Sequence, residues 1–539
     1  MGSFTIVLLF CFIASSVNGK DQTPTWKQTY SVTGLLSIPY AEIQEPFSAW
    51  YDEPSKRSRI DYYGDMVKTY QLGTPGYGVS LKVTPVTTET EENVRSCLMV
   101  NGTEEISITP QAILPDLTGF KSDGKEVVNG FETEKWTLVN IVGHKVNRYS
   151  MWIKDGGIPV RYEMKGFNSL LGSHYDHYYL DYYTYDPSPI SDDTFRVPAD
   201  LECSAFPGPG DKHIYTFNPM AEFIRPEKTG HLDFEFNKFV NKHRRQYADK
   251  NEHENRKYIF SQNIRFIHAV NRQNKGYTLT VNHLADKTDL ELKALRGKKY
   301  TGVYNGGAPF PYKKNEMDNL PDSYDWRIFG AVSPVKDQSV CGSCWSFGTV
   351  GAIEGAYFLK NGGNLVRLSQ QALIDCSWGY GNNGCDGGED FRAYQWMLKH
   401  GGIPTEEDYG PYLGQDGYCH SNTVPKVAHI TGWVNVTSGD ENALRMALVR
   451  HGPISVAIDA SHKTFSFYSN GVYYDPQCGN KEEDLDHAVL AVGYGIINGN
   501  KYWLVKNSWS TYWGNDGYVL MSSKNNNCGV MTTPTYVTM

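Results

Sequence analysis

Two cysteines in the stretch SVCGSCWSF (339–347) are spaced C-x-x-C, and this spacing suits three different chemistries. Cys341 and Cys344 could form a redox dithiol, supply half of a zinc site, or combine a structural half-cystine with a nucleophile. A thioredoxin-like dithiol follows a strand of a βαβ unit, whereas residues 330–340 have the composition of a loop. A zinc site needs a second ligand pair, and the sequence contains no other C-x-x-C and no H-x-x-x-H. We therefore favour a nucleophile beside a half-cystine.

The cysteine count supports a free thiol in the C-terminal segment. From residue 320 onwards the chain has seven cysteines, so pairing leaves one over, while Cys97 and Cys203 upstream make one possible pair. The sequence CWSFGTVGAIEGAYFLKNGG has apolar residues at helical spacing and then two glycines, which predicts that Cys344 begins a helix. The helix dipole and free N–H groups stabilise a thiolate there and lower its pKa. Cys344 is therefore the candidate nucleophile, and Cys341 is the half-cystine.

A thiolate nucleophile needs a partner that accepts and returns a proton. Late in the chain, residues 484–495 and 501–509 have the composition of strands, and Asn498-Gly499 between them is a strong hairpin signal. Pairing around this turn brings His487 and Asn507 nearly opposite each other. His487 is then a candidate base that Asn507 holds in the useful tautomer, the alternative being an ordinary surface or core histidine.

Composition and the N-terminus limit the class of protein. The chain of 539 residues has room for about two to four domains, and its formal net charge is −9. No basic stripe is present to neutralise phosphates, which argues against nucleic acid as a partner. The apolar run 6–14 predicts a signal peptide over residues 1–19 and entry into the secretory pathway, and no later run is long enough to span a membrane. In that oxidising compartment most cysteines should be paired, and the sequons at Asn101 and Asn435 are candidate glycosylation sites.

The hydrophobic pattern divides the rest of the chain. Residues 20–215 alternate apolar and polar positions in segments such as EKWTLVN and PVRYEMKG, which predicts an aromatic-rich antiparallel β domain. The Pro- and Gly-rich sequence FPGPGDK (206–212) suits a domain boundary. Residues 216–319 are predicted to be a helical segment with a linker at 305–314, and residues 320–539 form the last domain.

Six residues of the helical segment are spaced four, four, three, four and four apart, so they lie on one stripe of a helix. An amphipathic helix carries mainly apolar residues on such a stripe, but this one mixes charged, amide and apolar side chains. The mixture predicts a docking surface. The six residues are Glu252, Arg256, Phe260, Asn263, Ile267 and Asn271.

The last domain resembles the papain-like cysteine peptidases, nearest to the cathepsin L type. It contains the signature C-G-S-C-W at 341–345, with His487 and Asn507 downstream. Further matching motifs are DWR (325–327), Gln338, GCDGG (384–388), GPISVAIDA (452–460) and NSWSTYWGNDGY (507–518). The resemblance implies an α+β fold in which a papain-like peptidase, with a helical half and a β-barrel-like half, follows a helical pro-region and the N-terminal antiparallel β domain.

Carried over residue by residue, the resemblance implies a cysteine endopeptidase made as a zymogen. Cys344 would form a thioacyl-enzyme with His487 as acid and base. Asn507 would orient the imidazole, and Gln338 would stabilise the oxyanion. No cofactor or metal is implied. The implied disulfides are Cys341–Cys385, Cys376–Cys419 and Cys478–Cys528. The implied substrate-binding residues are Gly342, Gly387, Gly388, Glu389, Asp390, Ala457, Leu485, Asp486, Trp509 and Thr533.

One pocket of the family receives the substrate side chain two residues before the cut. At the wall of this pocket the cathepsin L type has apolar residues, whereas this sequence has Glu389 and Asp390. Both carboxylates could point to solvent; alternatively, Asp390 could admit a polar or basic side chain.

The helical stripe and the motif Asn282-x-Leu284-x-Asp286 resemble the family's inhibitory pro-region. The resemblance implies two kinds of partner: polypeptide substrates, and the chain's own pro-region as an intramolecular inhibitor that runs backwards through the cleft. The pro-region would be removed in acid near Leu320, with Asp286 and Glu252 as pH-sensitive contacts.

The order of β-rich extension, pro-region and peptidase is similar to that of two-chain proteinases of insect haemocytes. This similarity implies that the β domain stays associated as a separate chain. The signal peptide and the resemblance to the peptidase family imply that the enzyme is destined for a lysosome, a secretory granule or the extracellular fluid. The alternative hypothesis is a catalytically silent binding protein that acts through the β domain. The intact set of Cys344, His487, Asn507 and Gln338 argues against silence.

Overall fold

The structure is a computed structural model, and it describes residues 23–86, 93–142, 144–169, 173–205, 218–224, 230–311 and 320–539. The predicted signal peptide (1–19) and the predicted boundary (206–212) lie outside these residues. No helix within the described ranges is both long and apolar enough to cross a membrane.

The described residues fall into two compact units. The first comprises those within Met1–Leu81, Met99–Ala199 and Ala205–Pro226. The second comprises those within Lys82–Leu98, Asp200–Ser204 and Glu227–Met539.

The aromatic N-terminal residues form one 12-stranded sheet, as their alternating pattern predicts. Its strands are β1 (Thr29–Ile38), β2 (Ile43–Asp52), β3 (Arg57–Tyr62), β4 (Val67–Leu72), β5 (Val79–Val86), β6 (Val94–Asn101), β7 (Lys121–Val128), β8 (Phe131–Val142), β9 (Lys145–Lys154), β10 (Ile158–Asn168), β11 (Ser173–Asp186) and β12 (Cys203–Ala205). Their order is β12-β6-β5-β4-β3-β2-β1-β11-β10-β9-β8-β7, and the pairs from β4 to β7 along this order are antiparallel.

Tyrosines are prominent among the buried residues of this sheet. Tyr62, Tyr162 and Tyr178 are fully buried, and the Tyr178 hydroxyl donates to the carbonyl of Phe223 (3.1 Å) in the short helix α1 (Ala221–Ile224). The strands alternate buried and less buried residues because successive side chains point to opposite faces of a sheet.

The second unit mixes helices and strands. Its helices are α2 (Gly230–Lys242), α3 (Lys250–Arg272), α4 (Asp289–Ala294), α5 (Cys344–Lys360), α6 (Gln370–Cys376), α7 (Asp390–His400), α8 (Glu406–Tyr409), α9 (Glu441–His451) and α10 (Lys463–Ser466). Its strands are β13 (Tyr277–Leu279), β14 (Ala308–Pro309), β15 (Tyr324–Asp325), β16 (Gly432–Asn435), β17 (Ile454–Ile458), β18 (Tyr468–Tyr473), β19 (His487–Ile497), β20 (Asn500–Lys506), β21 (Tyr518–Ser522) and β22 (Thr535–Thr538).

These strands form one sheet in the order β13-β18-β21-β20-β19-β17-β22-β16-β14, with β15 paired to β19. The described strands therefore do not close into a barrel. The two end strands come from the segment before residue 320: β13 pairs antiparallel with β18, and β14 pairs parallel with β16. Part of the predicted linker, 308–309, is thus hydrogen-bonded to the sheet.

Two local sequence features position the residues with candidate chemistry. Helix α5 begins at Cys344 as predicted and ends before Gly362 and Gly363, whose φ values of 63° and 83° suit glycine. Strands β19 and β20 form the predicted hairpin around Asn498-Gly499, where both φ values are positive (49° and 77°). His487 begins one strand of this hairpin, and Asn507 directly follows the other.

Candidate active site

Cys344 is a fully buried free thiol at the first residue of α5. Its Sγ accepts the N–H of Gly297 (3.2 Å) and the N–H of Ala488 (3.5 Å). Ala488 is the neighbour of His487 on β19, whereas Gly297 belongs to the segment that precedes the peptidase domain. The thiol therefore lies between the hairpin and a segment that covers it.

The other described cysteines are all paired. The structure joins the same four pairs that were expected from the sequence: Cys97–Cys203, Cys341–Cys385, Cys376–Cys419 and Cys478–Cys528.

His487, Asn507 and Trp509 form a buried set around one hydrogen bond. The Nε2 of His487 lies 2.8 Å from the Oδ1 of Asn507. The Trp509 ring covers the imidazole with 4.7 Å between ring centroids, and all three side chains are buried. The Nδ1 of His487 has no hydrogen-bond partner among the described residues. Asn507 thus fixes one ring nitrogen and leaves the other available for proton transfer.

Burial determines the protonation of both groups. It raises the pKa of Cys344 to about 11, because the N–H groups of Ala488 and Gly297 offset only part of the desolvation. It also lowers the pKa of His487 to about 4, against the opposing effect of the Asn507 hydrogen bond. The sequence predicted a lowered thiol pKa at the helix start, but desolvation outweighs that effect here. Thiol and imidazole are therefore both neutral near neutral pH in this covered state.

Gln338 is fully buried, and its side-chain amide is already hydrogen-bonded. Its Nε2 donates to the carbonyl of Leu295 (2.9 Å) and to the carbonyl of Cys341 (2.8 Å), while its Oε1 accepts the hydroxyl of Ser508 (2.7 Å). The amide that was predicted to stabilise an oxyanion is thus occupied by a carbonyl of the covering segment.

Residues 295–299, which we call the cleft segment, bind the peptidase domain through main-chain groups. Gly388 N–H donates to Gly297 O (2.9 Å), and Lys299 N–H donates to Gly388 O (3.0 Å). The bridge between Lys298 and Gly388 is parallel. These residues were not predicted from the sequence, because RGKKY (296–300) has neither apolar periodicity nor a matched motif.

Glycine is required where the cleft segment crosses the site. A Cβ on Gly297 would lie 1.7 Å from the carbonyl oxygen of Gly342, a separation that no real contact shows. A Cβ on Gly387 would lie 2.5 Å from the carbonyl oxygen of Gly297, and its φ is +109°. Gly387, which was predicted to line the cleft, and Gly297, which was not predicted, therefore allow two backbones to approach each other closely.

Charged contacts border the cleft segment. Arg296 Nε lies 2.6 Å from Asp486 Oδ2, and Lys298 N–H donates to the carbonyl of Asp486 (3.0 Å). The Lys299 ammonium donates to Asn383 Oδ1 (2.9 Å). The Arg296–Asp486 pair was not predicted, since the two residues are 190 positions apart with no shared motif.

The predicted pocket residues have different surroundings. Glu389 is buried and paired with Arg392 (2.7 Å), while Asp390 accepts hydrogen bonds from hydroxyl and amide donors. The expectation that both carboxylates point freely to solvent is therefore not met. Ala457 and Leu485 are buried, and Thr533 is half-buried.

The stripe on α3 docks mainly against the pro-region itself. Arg256 makes two hydrogen bonds to the Glu291 carboxylate (2.6 and 2.9 Å), and Asn263 donates to the carbonyl of Ala285 (2.7 Å). Asn271 exchanges two hydrogen bonds with the backbone of Leu279 (2.9 and 2.8 Å). Its aromatic member, Phe260, packs against Phe236 and Phe239 with centroids 5.3 and 4.9 Å apart.

The segment that the stripe holds contacts the peptidase domain. Asn282 donates to the carbonyl of Ser466 (2.9 Å), and Thr280 N–H donates to the carbonyl of Phe467 (2.9 Å). Asp286 instead stays inside the pro-region, where it accepts from Tyr247 (3.0 Å) and Arg245 (3.2 Å). Glu252 also acts within the pro-region, accepting the N–H of Ala248 (2.7 Å).

The two sequons differ in accessibility. Asn101 is exposed at the end of β6. Asn435 exchanges side-chain hydrogen bonds with Asn305 (2.7 and 2.8 Å), so its amide nitrogen is engaged. Asn101 is therefore the more accessible glycosylation candidate.

Comparisons with known proteins agree with this geometry. The family model described as papain family cysteine protease matches residues 320–538, and that described as cathepsin propeptide inhibitor domain (I29) matches residues 236–292. Digestive cysteine proteinase 2 of Homarus americanus is 44% identical over 302 residues, which cover 55% of this chain and 92% of the relative. Cathepsin L2 of Homo sapiens is 41% identical over 320 residues, covering 58% and 94% respectively.

Solved zymogen structures are also similar. Digestive procathepsin L2 proteinase from the Tenebrio molitor larval midgut aligns with a TM-score of 0.53 and 37% identity, covering 57% of this chain and 100% of that chain. The predicted α+β fold with a β-rich N-terminal region and the predicted enzyme class are thereby confirmed, and the hypothesis of a catalytically silent binding protein is not favoured. The chain belongs to the papain family of cysteine proteases, as a cathepsin L-like enzyme that carries its own propeptide inhibitor domain.

Proposed function

We propose that Cys344, His487, Asn507 and Gln338 carry out peptide hydrolysis after the cleft segment leaves. His487 takes the thiol proton, and the Cys344 thiolate attacks the scissile carbonyl. The imidazolium then protonates the leaving amine, and a thioester to Cys344 remains. Water, deprotonated by His487, attacks this thioester, which releases the acid product and restores the thiol.

The observation that carries this proposal is the contact set around Cys344. A buried free thiol begins a helix, and the neighbouring histidine has one nitrogen fixed by Asn507 and the other unpartnered among the described residues. Gln338 Nε2 already holds a peptide carbonyl, that of Leu295, so it is positioned to hold the developing oxyanion of a substrate. Trp509 excludes water from the His487–Asn507 hydrogen bond.

The zymogen is inactive because the cleft segment occupies this site. Gly297 covers the thiol, and the parallel pairing of Lys298 with Gly388 suits a segment that runs backwards relative to a substrate. We expect cleavage near Leu320 at acidic pH to remove residues 216–319. Removal would return solvent to Cys344 and His487, and the helix start would then favour the thiolate–imidazolium pair.

The same proposal extends to the organisation and route of the chain. A signal peptide (1–19) directs it into the secretory pathway, and the β domain (20–215) stays associated with the processed peptidase domain (320–539) as a separate chain. The final compartment is a lysosome, a secretory granule or the extracellular fluid. The disulfides of the described residues support an oxidising route.

Active-site titration tests the assignment. Acid-processed protein is incubated with an epoxide inhibitor that alkylates catalytic thiols, and the label is mapped by peptide mass spectrometry. We expect one label per molecule on Cys344, lost in His487→Ala. The exposed His429→Ala is the matched control and should be labelled like the wild type. Processed, folded protein that takes up no label would contradict the proposal.

A further inference from the structure

Two neighbouring carboxylates directly follow Gly388, the residue that pairs with the cleft segment, and the charge of the first is balanced. Glu389 Oε2 lies 2.7 Å from Nε of Arg392, and the Thr301 hydroxyl donates to the same oxygen (2.8 Å). The charge of Glu389 is therefore already matched within the structure.

The second carboxylate, on Asp390, receives only uncharged donors. Its Oδ2 accepts the hydroxyls of Thr535 (2.6 Å) and Ser455 (3.2 Å), and its Oδ1 accepts the N–H of Phe391 (2.8 Å). Within the described ranges, no Lys, Arg or His nitrogen lies within 4.0 Å of this carboxylate. The Asp390 carboxylate is thus hydrogen-bonded by neutral protein groups and has no cation beside it among the described residues.

The pro-region brings a cation towards this acid. On one side, Lys298 pairs with Gly388, which lies two positions before Asp390. On the other side, the N–H of Lys298 donates to the carbonyl of Asp486 (3.0 Å). Burial raises the pKa of Asp390, and the Lys298 ammonium offsets part of that rise together with the hydrogen bonds. The inhibitory segment therefore places a basic residue, Lys298, at the point where its backbone lies between Gly388 and Asp486.

The surroundings of Asp390 discriminate between substrate side chains. An apolar side chain next to it would remove water from a carboxylate that has no cation, which is costly. An arginine or lysine side chain would supply the missing charge. We infer that Asp390 makes this enzyme select peptides with arginine or lysine two residues before the scissile bond. The inference rests on the proposed function, because it names the substrates of the Cys344 site.

The test uses fluorogenic peptides that differ only at the position two residues before the cut. That position carries arginine, lysine, citrulline or leucine, and the residue before the cut is alanine throughout. Citrulline has nearly the shape of arginine without its charge. Mass spectrometry of the products confirms that cleavage follows the alanine rather than the basic residue. We expect kcat/KM for arginine to exceed that for citrulline by about tenfold or more.

The variant Asp390→Asn should reduce the arginine-to-citrulline ratio to about one. The exposed Glu407→Gln, which likewise removes one carboxylate, is the matched control and should keep the wild-type ratio. If Asp390→Asn does not fold, the wild-type ratio is measured against pH instead. A carboxyl whose pKa is raised by burial loses its charge as the pH falls, so the preference for arginine should shrink in the acid range and return above it.

Two failures are distinguishable. If processed enzyme, shown in a separate sample to take up the epoxide label on Cys344, hydrolyses the leucine and citrulline peptides as well as the arginine peptide, the inference about Asp390 is overturned and the proposed function stands. If it hydrolyses none of the peptides, the proposed function itself fails, and the inference fails with it.

Discussion

The pro-region contacts the peptidase domain in two chemically different ways. In the cleft, residues 295–299 bind mainly through main-chain hydrogen bonds and through the close approach that Gly297 allows. The Arg296–Asp486 ion pair is a charged contact of the same segment. At a second contact, His243 and His283 pack around Tyr512 with centroids 4.9 and 6.1 Å from its ring. The first contact closes the site by shape, whereas the second consists of groups that titrate.

The cleft contact therefore determines how tightly the active site is blocked, and the contact around Tyr512 determines how the inhibition responds to acid. Burial lowers the pKa of His243 to about 4, and Lys242 and Arg245 lower it further in the same direction. Burial likewise lowers the pKa of His283 to about 3, with contributions from Arg245, His243 and Lys287. Both imidazoles are thus neutral while the pro-region is docked.

The largest expected effect lies in the cleft, at Gln338. The variant Gln338→Ala removes a preorganised donor to the oxyanion, so kcat of the processed enzyme should fall about 100- to 1,000-fold. Steady-state kinetics with one peptide substrate measures this loss. The exposed Gln477→Ala is the control and should keep wild-type activity. A loss of only about twofold in Gln338→Ala would show that its amide does not serve the transition state.

A smaller effect is expected at Gly297, on inhibition rather than catalysis. A methyl group there meets the Gly342 carbonyl, so Gly297→Ala should weaken inhibition of processed enzyme by added pro-region about 10- to 100-fold. Gly230→Ala is the matched control, because a Cβ at Gly230 has no atom within 4 Å. Equal inhibition constants for the two variants would contradict the shape-based account of the cleft contact.

Changes in the stripe on α3 should weaken the cleft contact and the contact around Tyr512 together, because the stripe holds the pro-region segment that makes them. Arg256→Lys removes the paired hydrogen bonds to Glu291 and should destabilise the pro-region by about 1–2 kcal/mol. Thermal unfolding of the unprocessed protein, followed by the far-UV circular dichroism of its helices, measures the change. Arg244→Lys, at an exposed position, should leave the unfolding temperature unchanged. A wild-type unfolding temperature in Arg256→Lys would mean that the pair contributes nothing measurable.

The smallest effect concerns the second contact and its pH dependence. Because docking lowers both histidine pKa values below 6.5, the docked state binds fewer protons than the released state. Docking is therefore undiminished well above pH 6.5 and weakens as the pH falls from 6.5 towards about 4. The double variant His243→Gln with His283→Gln should need a pH about one unit lower for half-maximal processing.

Two further variants sharpen this prediction. The exposed His144→Gln should leave the processing midpoint unchanged. Asp286→Asn tests the carboxylate that the sequence suggested as the pH-sensitive contact. If Asp286→Asn shifts the midpoint and the double histidine variant does not, release depends on the interior of the pro-region rather than on the contact with Tyr512.

The two regions also differ in how far the sequence predicts them. The Cys344, His487 and Asn507 set could be placed from cysteine parity, a helix start and one hairpin turn, because those features are local and have strong signals. The cleft segment could not, since its binding uses main-chain groups that any sequence possesses. Gly297 is needed only because another backbone, that of Gly342, lies against it.

Long-range pairing explains the remaining differences. Strands β13 and β14 have three and two residues, too few for a period-2 pattern, and they form only because β18 and β16 offer open edges. The direction of the Cys344 pKa was predicted from the helix start alone. It reverses in the zymogen because the thiol, against which the distant Gly297 lies, is buried and desolvated.

The central claim is that the cleft segment holds Cys344 and His487 as a neutral pair. The rate of Cys344 alkylation by iodoacetamide, measured against pH before and after acid processing, tests it most directly. In the unprocessed protein we expect slow alkylation that rises only at alkaline pH, towards the pKa of about 11. In the processed protein we expect rapid alkylation already at about pH 5 to 6, as for a thiolate paired with an imidazolium. Identical pH profiles for the two forms would contradict the claim.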